Sequence, residues 1–399
     1  MDSEGGESCS AICAEQPFDV RFHPTKNGAL FCASLVTGEV EVWEHSIEDE
    51  ACTLLKTLKC HDDACRSIAF ANDGALLLSG GSDRSILASD VATGAAVARL
   101  ENAHKAAINK LVALDANILA TGDDDGVVKV WDTRTRRACG SFAPFVDFVS
   151  DIYHVPASAA ADVDDAVANA ASAAAGNPAG TLVVASGDGT IAHLNLATWK
   201  ELGQSDNLED ELLSCCVMKH GKKAVAGSQG GILNIFDYGE WEDISDRFPG
   251  HPSSIDAIVK VDEDTILTGS ADGLIRVINI HPNKMLGLVG EHGEMPVERM
   301  DLSVGNQWLA TASHDRSVKL WSVGYLWEED DDEDDLKEKV GEEEEEEEED
   351  SDDSDDDGGG GKRKRKQGKK KKGKNKVKDA HAARADAKKR TAKKFFEGL

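Results

Sequence analysis

The chain has 399 residues, 40% of them hydrophobic, with a formal net charge of −30; so acidic a body argues against a wide grip on a nucleic-acid backbone. No apolar run approaches the roughly 20 residues that span a bilayer, and nine cysteines without a CxxC pair or zinc-like His/Cys spacing exclude a zinc module. With an acidic Met1–Glu7 unlike a signal peptide, the expectation is a soluble protein of nucleus or cytoplasm with reduced thiols, no metal, no cofactor and no membrane contact.

In chain order, one short signal returns seven times: a turn, an alternating apolar run, then an aromatic–acid pair or its remnant. Asp125–Asp132 and Asp315–Trp321 are the clearest copies. Measured at the tryptophan position, the copies fall at Trp43, Ser89, Trp131, Leu194, Phe236, Ile278 and Trp321, spaced by 46, 42, 63, 42, 42 and 43 residues. A period of about 40–45 marks a β-propeller blade of four strands. In the third unit the strands are expected at Ile108–Leu114, Asn117–Thr121 and Val127–Trp131, alternating as half-buried antiparallel sheet does. Gly126, Gly189, Gly231 and Gly273 sit where a hairpin favours positive φ. One blade would expose both faces of its sheet, so blades must stack. An all-β, seven-bladed propeller over residues 17–327 follows.

The 63-residue interval has a visible cause. An Ala-rich stretch at 157–180 with Asp162, Asp164 and Asp165 lacks a sustained apolar stripe and reads as a surface-loop insertion between the first two strands of the fourth blade. After Trp327 the composition changes. Residues 328–357 carry −21 and residues 358–399 carry +15, leaving −24 for the rest. Like charges at this density repel, and apolar groups are too few to offset chain entropy, so the acidic run is expected to be disordered. Beyond Gly358–Gly361, the cations Lys362, Arg363, Lys364, Arg365 and Lys366, with Lys369, Lys370, Lys371 and Lys372, suit a nuclear localisation signal. They also suit nonspecific, salt-sensitive RNA contact, since no aromatics are interleaved for base stacking. Phe395, Phe396 and Leu399 end a charged arm with helix-forming composition and read as a short docking motif.

The repeats resemble the WD-repeat family over about Pro17 to Trp327. The family pattern places a His before the first strand, a Ser or Thr on the second, an Asp in the next turn and a Trp on the third. The resemblance implies that hydrogen bonds join these four. Two full sets occur here: His104, Thr121, Asp125, Trp131 and His292, Thr311, Asp315, Trp321. Two more keep three members: His61, Ser79, Asp83 and His251, Thr268, Asp272. Such sets invite a catalytic reading, but an active site occurs once, whereas a satisfied polar network that fixes geometry recurs in every good blade. They are assigned to structure. The family also implies that an N-terminal segment completes the last blade. Ser8–Ala14, within 1–16, suits that role and would remove the unpaired edges of an open ring.

Within the family, seven blades, an acidic run, a Lys/Arg-rich stretch and the terminal Phe-Phe-x-x-Leu resemble a nuclear and nucleolar branch. Pro17–Pro24, Gly38–Trp43 and Asp123–Arg134 add to that resemblance. It implies a protein-binding scaffold, monomeric within larger complexes with assembly factors, in ribosomal RNA processing and ribosome production. Trp131, Asp132 and Arg134 also match a motif of substrate receptors for cullin-4 ubiquitin ligases, whose Arg reaches the ligase adaptor. Arg suits that role because its planar fork binds carbonyls or carboxylates bidentately. No Walker loop, nucleophile elbow or metal-spaced cluster suggests an enzyme; Gly80–Asp83 and Gly227–Gly231 read as hairpin glycines.

Overall fold

The structure, a computed structural model, describes residues 7–46, 48–157 and 179–327. The acidic run, the basic segment with Lys362–Lys366 and Lys369–Lys372, the Phe395, Phe396 and Leu399 motif, and most of the 157–180 insertion lie outside the described residues. The described chain forms seven four-stranded antiparallel sheets, the blades of a propeller. We call the strands of each blade a to d from the axis outward. Blades 1 to 6 span 17–59, 65–100, 108–142, 149–204, 212–249 and 255–291. Blade 7 is composite: 297–322 supplies strands a to c, and Glu7–Ile12 pairs with Ser317–Ser322 as strand d. Both ends of the described propeller thus meet in one sheet, and the ring has no open edge at that point. Two complete 3-10 turns, Asn72–Gly74 and Gly324–Trp327, lie within the described residues. No described helix is long and apolar enough to cross a membrane.

Burial explains why some strands announce themselves in the sequence and others do not. Strand b of blade 3, Ile118–Asp123, and of blade 6, Thr265–Ser270, are buried at every position because neighbouring blades cover both faces. Ile118, Ala120, Val128 and Val130 of blade 3 join Ile152, Leu182 and Val184 of blade 4 in one such inter-blade layer. Outer strands are wet, as in Ala96–Leu100, so they carry no apolar run. The tryptophan position keeps one register throughout. Phe31 faces Trp43, Leu77 faces Ser89, Leu119 faces Trp131, Leu182 faces Leu194, Ala224 faces Phe236, Ile266 faces Ile278 and Leu309 faces Trp321. Geometry holds that position even where aromatic identity is lost. Gly126, Gly189, Gly231 and Gly273 take φ of 75–83° in the b–c turns, a region other residues enter at a cost.

Antiparallel pairing fixes two working faces. The b–c turns and d–a connections share one face; the a–b and c–d turns share the other. The insertion at 157–180 follows strand a of blade 4, Val149–Val155, and so leaves from the a–b face. The expectation of reduced thiols fails at one pair: Cys9 and Cys52 are joined as a disulfide, while seven cysteines are free. The sequence missed it because this proximity arises only when the ring closes.

Candidate interaction site

The polar sets staple the b–c face. In blade 7, His292 Nδ1 meets Asp315 at 2.8 Å, His292 Nε2 meets Thr311 Oγ1 at 2.7 Å, and Trp321 Nε1 donates to Thr311 at 2.9 Å. In blade 2, His61 meets Asp83 at 3.0 Å and Ser79 at 2.9 Å, and Arg99 donates to Asp83 at 2.7 Å. Each imidazole ring is enclosed and both its nitrogens are hydrogen-bonded, so it serves as a link in a satisfied polar network.

Two assignments need correction. In blade 3 the partner of His104 is Asp123, at 2.7 Å, not Asp125. Strand b there runs on to Asp123, which faces His104 from the sheet, whereas Asp125 is exposed in the turn. Asp123 also accepts the amides of Asp125 and Val127 at 3.1 and 2.8 Å, the turn-fastening task that Asp315 performs on Ser317. His104 Nε2 and Trp131 Nε1 meet Thr121 at 2.7 and 2.8 Å, as the pattern implied. In blade 6, His251 reaches Thr268 at 2.8 Å, but Asp272 is taken by Arg276 through contacts of 3.0 and 2.5 Å. Burial then pushes the His251 pKa down to about 4, and the ring stays neutral. Asp123→Ala is therefore expected to lower stability by about 2–4 kcal/mol, because His104 would be left buried without its acceptor. Asp125→Ala should stay within about 0.5 kcal/mol. Urea midpoints of the two variants check this directly; equal losses would restore Asp125 to the set.

Blades without a full set use substitutes. Trp43 donates to Glu41 at 3.1 Å, and the same carboxylate receives the Ala14 amide at 3.1 Å, which ties the N-terminal segment to blade 1. Between blades 4 and 5, Tyr238 Oη lies 2.7 Å from His193 and 2.8 Å from Thr181, with Trp241 packed on the imidazole. Burial pushes His193 down to about 4 as well.

Around the axis lies a row of residues that repeat reasoning passed over. A bulge interrupts each strand a, and the residues just after it include Asp19, Ser67, Lys110, Asp151, Ser214 and Arg299. All but Arg299 bond the next blade's inner strand, whose axial edge otherwise has unpaired backbone groups. Asp19 accepts from the Ile68 amide at 3.0 Å, Asp151 from Cys215 at 3.0 Å, and Ser214 donates to the Ile255 carbonyl at 2.8 Å. Asp301, two residues beyond Arg299, accepts from the Phe22 amide at 2.7 Å and so links blade 7 to blade 1. Lys110 pairs with Asp151 at 2.8 Å, both largely buried. Burial lowers the lysine's pKa; it opposes ionisation of Asp151 too, yet Lys110 and Arg299 hold that carboxyl below its ordinary range. The signal was present as a polar residue recurring at one point of otherwise apolar strands.

Arg299 reaches from blade 7 to the Asp256 carbonyl of blade 6 at 2.8 Å and to the Ser150 carbonyl of blade 4 at 3.3 Å. It lines both axial recesses. One, of about 490 Å³, has Phe22, Phe70, Val112 and Tyr153 in its wall and Lys110 and Asp151 within. The other, of about 390 Å³ on the b–c face, is bounded by Phe18, Phe148, Arg66, Asp124, Asp256 and Glu298. Burial and the neighbouring Glu298 raise Asp256 to about 6. Concave, mixed polar and apolar mouths of this kind suit contact with side chains of a partner. On the opposite face, Arg134 follows strand c of blade 3. Its Nε and Nη2 donate to Asp132 at 3.0 and 2.8 Å, with the guanidinium side chain 57% exposed. Among the described residues no group of three or more His, Cys, Asp or Glu converges to hold a metal.

Comparison with known proteins agrees with this architecture. The family model "WD domain, G-beta repeat" matches residues 52–87, 97–132, 243–279 and 284–322. Each match ends on or beside a strand c, so it crosses from one blade to the next. The chain is 37% identical to WD repeat-containing protein 55 of Arabidopsis thaliana over 307 residues, covering 77% of this chain and 80% of that protein. It is 36% identical to the WD repeat-containing protein 55 homolog of Dictyostelium discoideum, covering 79% and 70%. To the Homo sapiens protein 55 it is 34% identical, covering 76% and 74%. Identity of this extent, over a ring whose repeats lie in one register, makes this chain a WD-repeat scaffold protein that belongs to the family of WD repeat-containing protein 55.

Proposed function

We propose that the protein is a non-enzymatic nuclear scaffold, concentrated in the nucleolus, that gathers assembly-factor proteins for ribosomal RNA processing and ribosome production. The observation that carries this reading is the union, in one chain, of a propeller with a recessed axial mouth and a tail of −21 followed by +15. The pairs His61 with Asp83, His104 with Asp123 and His292 with Asp315 fasten blades. The cluster Lys362–Lys366 supplies import, and with Lys369–Lys372 it gives phosphate contact without sequence preference. Proximity labelling in cells, with the full chain and with a chain lacking 358–399, tests it. The full chain should label nucleolar assembly factors; the shortened one should be cytoplasmic and lose them. Labelling confined to cytoplasmic proteins in both cases would end this reading.

A second reading has its own support. Asp132 holds the Arg134 guanidinium in a fixed, exposed pose on the c–d turn, ready for a carbonyl or carboxylate of a ligase adaptor. If the protein is a cullin-4 substrate receptor, the adaptor co-purifies with it, and Arg134→Ala weakens that capture at least tenfold. A wild-type chain that retains no adaptor removes this reading.

A further inference from the structure

We propose that Cys9 and Cys52 are a redox modification site that locks the propeller ring at its seam. Cys9 lies in Glu7–Ile12, strand d of blade 7, and Cys52 in Ala51–Lys59, strand d of blade 1. These strands belong to different sheets, so no backbone ladder joins them. Their Cα atoms are 6.3 Å apart, within ordinary bridging distance. This is the one disulfide among the described residues, and it falls where the two ends of the ring meet.

The position gives the bond leverage. Every other blade is a continuous piece of chain, whereas blade 7 is held together by the pairing of Glu7–Ile12 with Ser317–Ser322. The seam is therefore the place where the ring opens without unfolding a blade from within. A bond from Cys9 to Cys52 closes a loop with a sequence separation of 43 that contains strands a to c of blade 1. It anchors the borrowed strand to a sheet that does not depend on it. Such a loop restricts the unfolded chain and penalises departure of the N-terminal strand.

Six of the other seven thiols are poorly placed to compete. Burial raises the thiol pKa of Cys13, Cys32, Cys60, Cys65, Cys215 and Cys216, which keeps them protonated and unreactive. Cys139 is exposed on an outer strand. Cys52 is only partly buried, packed against the cluster that contains Cys9. With hydrogen peroxide as oxidant, the Cys52 thiolate attacks one peroxide oxygen, the O–O bond breaks and Cys52 becomes a sulfenic acid. The leaving hydroxide takes a proton to become water. The Cys9 thiolate then displaces hydroxide from the sulfenic acid, forming the S–S bond and a second water. Two thiols give up two electrons and one peroxide accepts them. A dithiol reductant reverses the step.

The test uses the full chain, reduced with dithiothreitol or oxidised with hydrogen peroxide, followed by differential alkylation, peptide mass spectrometry and thermal melting. The oxidised protein should yield a linked Cys9–Cys52 peptide and melt about 5–10 °C above the reduced protein. Cys52→Ala should abolish that difference and melt like the reduced wild type; Cys9→Ala should repeat the result from the other side. Oxidation of Cys139 while the pair stays as thiols would overturn the proposal. A linked peptide with no change in melting temperature would overturn it too, and both readings come from wild-type protein alone.

Discussion

Lys110→Ala is expected to destabilise the propeller by about 3–5 kcal/mol, because it strands the Asp151 carboxylate in a low-dielectric site. The pair spans blades 3 and 4 at 2.8 Å, with side-chain exposures of 7% and 13%. Asp151 has a second task, accepting the Cys215 amide of blade 5, so it is not free to turn toward water. Arg299 lies near enough to help hold Asp151 ionised, but its guanidinium already serves two carbonyls. The double variant Lys110→Met with Asp151→Asn should recover most of the loss, since asparagine still accepts from Cys215 and no charge is left buried. Urea unfolding of wild type, Lys110→Ala, Lys110→Met, Asp151→Asn and the double variant measures the loss and the coupling. A single-variant loss below about 1 kcal/mol, with no recovery in the double, would mean that water reaches the pair and the axial row is not a stitch.

Deleting residues 1–16 should lower the melting temperature by about 10 °C or more and promote aggregation. The deletion removes the register from Cys9 opposite Leu320 to Ile12 opposite Ser317. It also removes the Cys13 amide bond to the Arg316 carbonyl at 2.9 Å and the Ala14 amide bond to Glu41 at 3.1 Å. Cys9, Ala11 and Cys13 are buried against Val318 and Leu320, and that layer would open to water. The exposed strand Ser317–Ser322 would then offer unpaired backbone groups to another chain. Thermal melting with light scattering measures both effects. An unchanged transition would show that blade 7 is stable with three strands.

Much of this architecture is legible in the sequence because repeat geometry counts residues regardless of their identity. Leu194, Phe236 and Ile278 hold the tryptophan register without being tryptophan, since each must face strand b of its own blade. Side-chain partnerships are a different matter. Asp123 and Asp125 are two residues apart in a run of three acids, and only the end of the strand decides which one faces His104. Asp272 matches the pattern, yet Arg276 from strand c outcompetes His251 for it, because a charged fork binds a carboxylate more strongly than a neutral ring does. The axial row escaped notice because a lone Asp19 or Lys110 in an apolar strand looks like noise until seven strands converge. Cys9 and Cys52 meet only through ring closure, which no local spacing encodes.

The claim that this propeller serves ribosome production stands or falls on pulse-labelled pre-ribosomal RNA after depletion of the protein. The expected result is accumulation of precursors and loss of mature species, reversed by the full chain and not by one lacking 358–399. Normal precursor processing in cells shown to contain none of the protein would contradict it.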